Sequence, residues 1–296
     1  MITFTQLGDL GRLGNQLFQY AALRGVASAA SLPLKIPDPA TKKWHGQQCF
    51  LDRLSLECEY LDEEDYKKIQ YQYREPNYMA FNDDVFRVPS NTDLYGFFQS
   101  TYYFEHCKEQ IKRELTPKSE YMEKAQETIG ELKAQHLGHE IISLHLRRGD
   151  NTDGSNPSGP LNNMYGANNE FDLSSPYGRF FAAAMVKFRH RKAKFLVFTG
   201  GSRSEGNSNH KDMEWCKRTF VGDQYVFSDE VDAFGDFCLI MSCDHNIISP
   251  VSSFGWWAAY LNPSPGKTVA APRKYDPSQN TIDYRDGFYP PEWEKL

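Results

Sequence analysis

The densest chemistry in the chain lies in His145-Leu146-Arg147-Arg148-Gly149-Asp150. Arginine carries a planar fork of N–H donors that matches phosphate oxygens. Two adjacent arginines are costly to bury unless an anion or a carboxylate meets them. Asp150 is spaced to hold one guanidinium, to bond a ligand hydroxyl or to act as a base, and a surface ion pair between Arg148 and Asp150 is the simpler account. A second group is Gly11-Arg12-Leu13-Gly14-Asn15-Gln16. Glycines allow a tight turn and a close approach to a ligand, and a helix that follows offers N–H groups and a positive dipole end. Gly8, Gly11 and Gly14 are spaced by three, so this is not the dinucleotide G-x-G-x-x-G pattern, and no Gly-Lys-Ser/Thr follows it. A plain strand-to-helix turn capped by Asn15 is the simpler account. The third group is Ser252 and Ser253, whose hydroxyls at a helix start can cap that helix or bind a phosphate. Phe254, Trp256, Trp257 and Tyr260 after them read as core.

These residues need elements to place them. Residues 2–7 read as a short strand, and residues 15–32 as a helix with Leu17, Phe18, Ala21, Ala22 and Val26 on its apolar positions. Residues 33–100 read as irregular and aromatic. Residues 102–115 and 118–136 read as helices separated by Pro117. Strands are expected at 140–146, 194–199, 225–227, 245–248 and 268–271, and helices at 177–190, 211–220, 232–243 and 252–261. Residues 151–174 are rich in Asn, Gly, Ser, Pro and Asp and read as a long loop. Alternating strands and helices imply a doubly wound parallel sheet, whose ligands sit beyond the carboxyl ends of the strands. His145 to Asp150 occupies such an end, and Thr199 another. A domain boundary is expected near residue 138.

Composition narrows the classes. The chain has 296 residues, with 33 basic against 39 acidic side chains and a formal charge of -6, so no basic surplus draws nucleic acid. No stretch of roughly 18 apolar residues marks a transmembrane helix. Residues 1–9 lack the basic start and apolar centre of a secretory signal. The six cysteines form no C-x-x-C pair, which argues for reduced thiols rather than a disulfide frame or zinc ribbon. A cytoplasmic chain, or one peripheral to the inner face of a membrane, is the expectation. The histidines show no metal spacing, and no Asp-x-Asp occurs to hold a divalent ion on a diphosphate. A diphosphate would have to be met by Arg147 and Arg148 instead.

Taken together, the segments resemble the α-1,2-fucosyltransferase family. The resemblance rests on Gly11-Arg12-Leu13-Gly14-Asn15-Gln16-Leu17-Phe18-Gln19-Tyr20-Ala21, on the His145 to Asp150 motif, on residues 236–262 centred on Ser252-Ser253-Phe254-Gly255-Trp256-Trp257, and on Pro291-Glu292-Trp293. It implies an α/β, GT-B-like fold with two Rossmann-type domains facing across a cleft. Residues 1–138 would form the acceptor side and residues 139–296 would bind GDP-fucose. It implies transfer of L-fucose to O2 of a terminal β-galactoside on a glycan acceptor, with inversion, without metal and without a cofactor. Arg147 would bind the β-phosphate and stabilise the leaving GDP, with His145 and Asp150 supporting the nucleotide or positioning Arg147. Ser252 and Ser253 would bond the diphosphate, Phe254 would pack by the guanosine, and Asn15 would lie near the fucose. Gly14, Arg148, Asp236 and Thr199 complete the expected donor set.

Two points remain open at this stage. The acceptor hydroxyl needs a base, and Asp150, Glu170 and Asp172 are the candidates. Many bacterial members also carry a Ser/Thr-Asp-Asp step after the strand that here ends Val197-Phe198, where this chain has Thr199-Gly200-Gly201-Ser202. A GDP-fucose transferase with another acceptor or linkage, or a non-catalytic sugar-nucleotide or glycan binder, are the competing readings.

Overall fold

The computed structural model describes residues 1–44, 47–78, 80–152, 171–200, 208–230, 232–274 and 287–296. The chain divides into two units, one of Met1–Lys118 with Tyr284–Pro290 and the other of Ser119–Asp283 with Pro291–Leu296. The α/β class expected of a GT-B-like chain is observed, because each unit is built on an all-parallel sheet.

In the first unit, β1 (Ile2–Thr3) runs into the glycine-rich turn and then α1 (Leu13–Ala30). After β2 (Leu34–Ile36) comes a small hairpin of β3 (Lys43–Trp44) and β4 (Gln47–Gln48). There follow β5 (Glu59–Tyr60), α2 (Glu63–Lys68), β6 (Tyr71–Arg74), β7 (Thr92–Tyr95) and α3 (Lys108–Glu114). The sheet order is β5-β2-β1-β7-β6, with β1 central between β2 and β7. Helix α1 is buried on almost every side, as a central helix must be, and its Ala-rich sequence permits close packing. A Cβ on Gly25 would stand 1.9 Å from the Tyr103 carbonyl oxygen, so only glycine fits there.

Three expectations for this unit change. Only Ile2 and Thr3 pair as a strand, because the chain turns at once, with the Leu7 N–H donating to the Phe4 carbonyl at 3.0 Å. The region read as irregular supplies four of the five strands, each two to four residues long. Runs that short carry no period to read. Residues 102–115 are not one helix but two 3₁₀ turns followed by α3. Tyr103 and Phe104 are both buried at the junction of those two turns.

The second unit begins with α4 (Ser119–Gln135), then β8 (Glu140–Arg147), α5 (Pro176–Lys187), β9 (Ala193–Gly200), α6 (Ser208–Thr219) and β10 (Tyr225–Phe227). It ends with α7 (Ala233–Ser242), β11 (His245–Ile247), α8 (Ser253–Leu261), β12 (Val269–Ala271) and β13 (Glu294–Lys295). The order is β10-β9-β8-β11-β12-β13, and the reversal lies between β8 and β11. Strands β8 and β9 pair along eight residues, ending at Arg147 opposite Gly200. Both are buried on both faces, which is why they read as continuous apolar runs. Ile142, Leu144 and Leu146 pack with Phe181, Phe188, Val197, Ile247 and Ala270.

The boundary expected near residue 138 moves to Lys118/Ser119. Helix α4 belongs to the second unit because its partners are there. Tyr121 meets Phe234 on α7 edge to face at 5.1 Å, Lys124 pairs with Glu230 at 2.9 Å, and Lys133 pairs with Asp244 at 2.7 Å. Trp256 and Trp257 are fully buried, and Trp256 stacks on Tyr260 at 4.8 Å, so the core reading of these aromatics holds. Among the described residues no helix is long and apolar enough to cross a membrane.

Candidate active site

Strand β8 ends at Arg147, beside the point where strand order reverses, and helix α8 starts across that point after β11. Open parallel sheets bind ligands in this crevice. The two arginines take different parts there. The Arg148 Nε donates to Asp212 Oδ1 at 3.0 Å, and its guanidinium carbon lies 3.8 Å from the centroid of the Trp215 ring. Asp212 Oδ2 also accepts the Gly149 N–H at 2.7 Å. Arg148 and Asp212 are both buried, so this is a structural ion pair that fixes the turn after β8. The pairing of Arg148 with Asp150 suggested by their spacing is not the one formed.

Arg147 is the half-buried one, with its side chain 18% exposed. Its Nη2 donates to Asp150 Oδ1 at 2.5 Å and its Nη1 to the Gly200 carbonyl at 3.1 Å. Its backbone N–H donates to Ser249 Oγ at 2.9 Å. The guanidinium is therefore held from two sides, with the side chain still partly exposed. Asp150 is buried and paired with Arg147. Asp172 is engaged too. Its carboxylate accepts the Ser174 N–H at 2.7 Å and the Ser174 hydroxyl, and these bonds hold its carboxyl below the ordinary range. Glu170 lies outside the described residues, as do Gly201 and Ser202.

His145 points into the same layer. Burial, followed by the Arg147 charge, lowers its pKa to about 3, so the ring is neutral at neutral pH. Its Nδ1 meets no hydrogen-bond partner among the described residues. A Cβ on Gly255 would come within 2.5 Å of that nitrogen, so glycine lets the first turn of α8 close onto the ring. Phe254 packs against His145 at 5.6 Å and against Phe237 at 5.5 Å.

Ser252 is the N-cap of α8, and its Oγ accepts the Gly255 N–H at 3.3 Å. Ser253 is the first helical residue. No acidic side chain occupies that first turn to neutralise the positive end of the helix dipole from within the helix. Val251 just before it has φ +51, a left-handed backbone that a β-branched residue rarely adopts. Such strain persists where the surroundings enforce it.

Thr199 pairs with Leu146 across β8 and β9, one residue before Gly200, and Asp236 lies on α7. Thr199 is buried beside the Cys216 thiol. Asp236 accepts a hydrogen bond from Ser228 Oγ at 2.6 Å on its Oδ1. The Asp236 residue as a whole is half-buried, yet burial of its carboxyl pushes the pKa up to about 7, opposed by the Ser228 bond and helped by Glu230, Asp232 and Asp229. The unfolded chain releases this proton near 3.8 and the folded chain keeps it to about 7, so stability falls as pH rises between those values. Asp236→Asn should raise the melting temperature at pH 8, by on the order of 2 kcal/mol of stability, and should lose that advantage below the carboxylate's ordinary pKa. A gain that calorimetry finds equal at both pH values would sink this assignment.

Gly14 and Asn15 lie in the first unit. Asn15 is not the helix cap; Arg12 occupies that position without a capping side-chain bond. Asn15 Oδ1 instead accepts from Gln99 Nε2 at 2.7 Å. Gly11 has φ +85, and a Cβ there would lie 2.5 Å from Asn15 Nδ2. Gln19 Nε2 donates to the Leu10 and Gly96 carbonyls at 2.9 and 3.1 Å, tying the glycine-rich turn to the segment after β7. The turn is thus fixed beside the centre of the sheet, where β1 and β7 pair. Sequence reasoning missed Asp212, Gln99 and Ser249. A lone Asp or Gln has no spacing signal, and only Ser249, two positions before a strained residue, stood in a segment already singled out.

Comparison with known proteins agrees with the motif. Over 267 residues the chain is 29% identical to galactoside alpha-(1,2)-fucosyltransferase 1 of Homo sapiens, covering 85% of this chain and 63% of that protein. The match to the Gorilla gorilla gorilla protein has the same extent. The chain therefore spans less than two thirds of the length of these relatives. In structure it is similar to the fucosyltransferase NodZ from Bradyrhizobium, with TM-score 0.49 and 14% identity over 88% of this chain and 93% of that one. It is also similar to POFUT1 in complex with GDP-fucose, with TM-score 0.48 and 13% identity over 91% and 98%. The model of glycosyl transferase family 11 matches residues 3–296, and with a match across nearly its whole length the chain belongs to that family.

Proposed function

We propose that the chain transfers L-fucose from GDP-fucose to O2 of a terminal β-galactoside, with inversion and without a metal. The observation that carries this reading is the clamped, partly exposed Arg147 at the end of β8, at the strand-order reversal that the β11–α8 segment also flanks. In the transfer, the bond between fucose C1 and the β-phosphate oxygen breaks and its electron pair leaves on GDP. The acceptor O2 forms the new bond to C1 from the opposite face, and its proton passes to a base. Negative charge grows on the leaving diphosphate. A preorganised guanidinium and a helix N-terminus stabilise that charge without reorganising. Family membership and the names of the relatives support the fucosyl donor.

The expected result is GDP release from GDP-fucose that depends on lactose and survives EDTA, with NMR showing an α-1,2 linkage. Product linked at another position would leave a fucosyltransferase of different specificity. GDP binding without release, across a panel of galactosides, would point to a binder and end the enzymatic reading.

A further inference from the structure

The end of the second sheet opposite Arg147 carries chemistry that fucosyl transfer does not use. Strands β8, β9, β10 and β11 run parallel, so all four start at that end. The turn that leads into β9 is Arg189-His190-Arg191-Lys192, and all four residues are exposed. It lies between the segments that lead into β10 and β8, because β9 is the strand between those two. The Glu140 N–H donates to the Lys192 carbonyl at 2.8 Å, and Lys192 Nζ donates to the Leu137 carbonyl at 3.1 Å. Each flanking segment presents one aliphatic side chain. Leu137 precedes β8 and Val221 precedes β10, and at 76% exposed they are the most exposed large apolar side chains among the described residues. The two strands stand about 10 Å apart. One exposed aliphatic residue needs no explanation, but here two bracket a single cationic turn.

The carboxylates at the starts of these four strands are already taken. Arg191 pairs with Glu140 at 2.9 Å, and Lys133 pairs with Asp244 at 2.7 Å. The buried Lys194 lies 3.7 Å from Asp223. Arg189 and Lys192 meet no carboxylate among the described residues, and Arg189 Nε donates to His190 Nε2 at 3.0 Å. Arg218, exposed in the last turn of α6 and three residues before Val221, adds a third cation. This local surplus runs against the formal charge of -6 on the whole chain. A soluble polyanion would meet the cations and leave both aliphatic side chains in water. An apolar partner would cover the aliphatic side chains and strand the cations. An anionic bilayer satisfies both, with charge at its headgroups and hydrocarbon beneath them.

We propose that this end of the second unit docks on an anionic lipid surface, with Arg189, Lys192 and Arg218 at the headgroups and Leu137 and Val221 entering the interface below them. Strand β8 is eight residues long, so Arg147 at its other end stands about 26 Å away. The docking does not depend on fucosyl transfer, and a chain without turnover would still show it.

The test is flotation of the full chain with vesicles of equal parts phosphatidylcholine and phosphatidylglycerol, against vesicles of phosphatidylcholine alone. The parent should float with the anionic vesicles only, and rising salt should release it. Arg189→Gln with Lys192→Gln should lower the partition about 25-fold, at about fivefold per cation. Leu137→Ser with Val221→Ser should lower it about tenfold and leave the salt dependence in place. Lys108→Gln with Arg113→Gln, an equal change of charge on α3, should leave it at the parent's value. All the altered side chains at this end are exposed, so melting temperature and GDP affinity should stay at the parent's values. No flotation of the parent, or an equal loss from the α3 pair, overturns the proposal. So does a partition unchanged by the serine pair, because charge alone would then account for binding. Dimerisation in sedimentation that the serine pair abolishes would give this end to a second copy of the chain and overturn the lipid assignment.

Discussion

Arg147→Ala is expected to lower turnover by about 10²–10³-fold, the usual cost of removing one preorganised donor from a developing anion. The size follows from the geometry. Asp150 and the Gly200 carbonyl hold the guanidinium from two sides, so it need not reorient as charge moves onto the diphosphate. The loss should fall on kcat more than on GDP affinity, because the interaction strengthens as the bond breaks. Arg147→Lys should recover little, since an ammonium cannot keep both existing bonds and also present a planar edge to phosphate. The side chain is half-buried, so both variants should fold, and circular dichroism would check that. Turnover within about threefold of the parent in Arg147→Ala would remove Arg147 from the chemistry and the clamp argument with it.

The largest expected effect on stability belongs to Asp212. Asp212→Ala leaves the buried Arg148 charge without its 3.0 Å partner and the Gly149 N–H without its acceptor. Breaking a buried pair in this way costs about 3–5 kcal/mol, whereas replacing both members by apolar residues is often close to neutral. Urea unfolding of the second unit should therefore show a large loss for Asp212→Ala and a much smaller one for Asp212→Leu combined with Arg148→Met. Trp215 would still cover an apolar residue at 148. A single-variant loss below about 1 kcal/mol would mean that water already reaches the pair. The double variant also bears on function, because Arg147 lies one residue from the turn that Asp212 holds.

The second unit was legible because its chemistry is local. Eight-residue strands buried on both faces read as apolar runs, and the helices between them read by period. The placement of His145 to Asp150 at a strand end followed from that alone. The sheet of the first unit was not legible beyond its first strand and α1, because strands of two to four residues are specified by their neighbours in the sheet and by that central helix. Helix α4 fell on the wrong side of the expected boundary for a related reason: its partners Phe234, Glu230 and Asp244 lie about a hundred residues further on.

The sequence by itself determined which residue types meet at the candidate site, that the class is α/β, and which family the chain resembles. Tertiary structure decided what each residue does. Arg147 and Arg148 are chemically identical neighbours. One is buried because Asp212 and Trp215 arrive from α6, and the other stays partly exposed between Asp150 and the Gly200 carbonyl. Asn15 read as a helix cap until Gln99, 84 residues away, took its side chain. Adjacent side chains on a strand point to opposite faces, and what waits on each face is supplied by distant segments of chain.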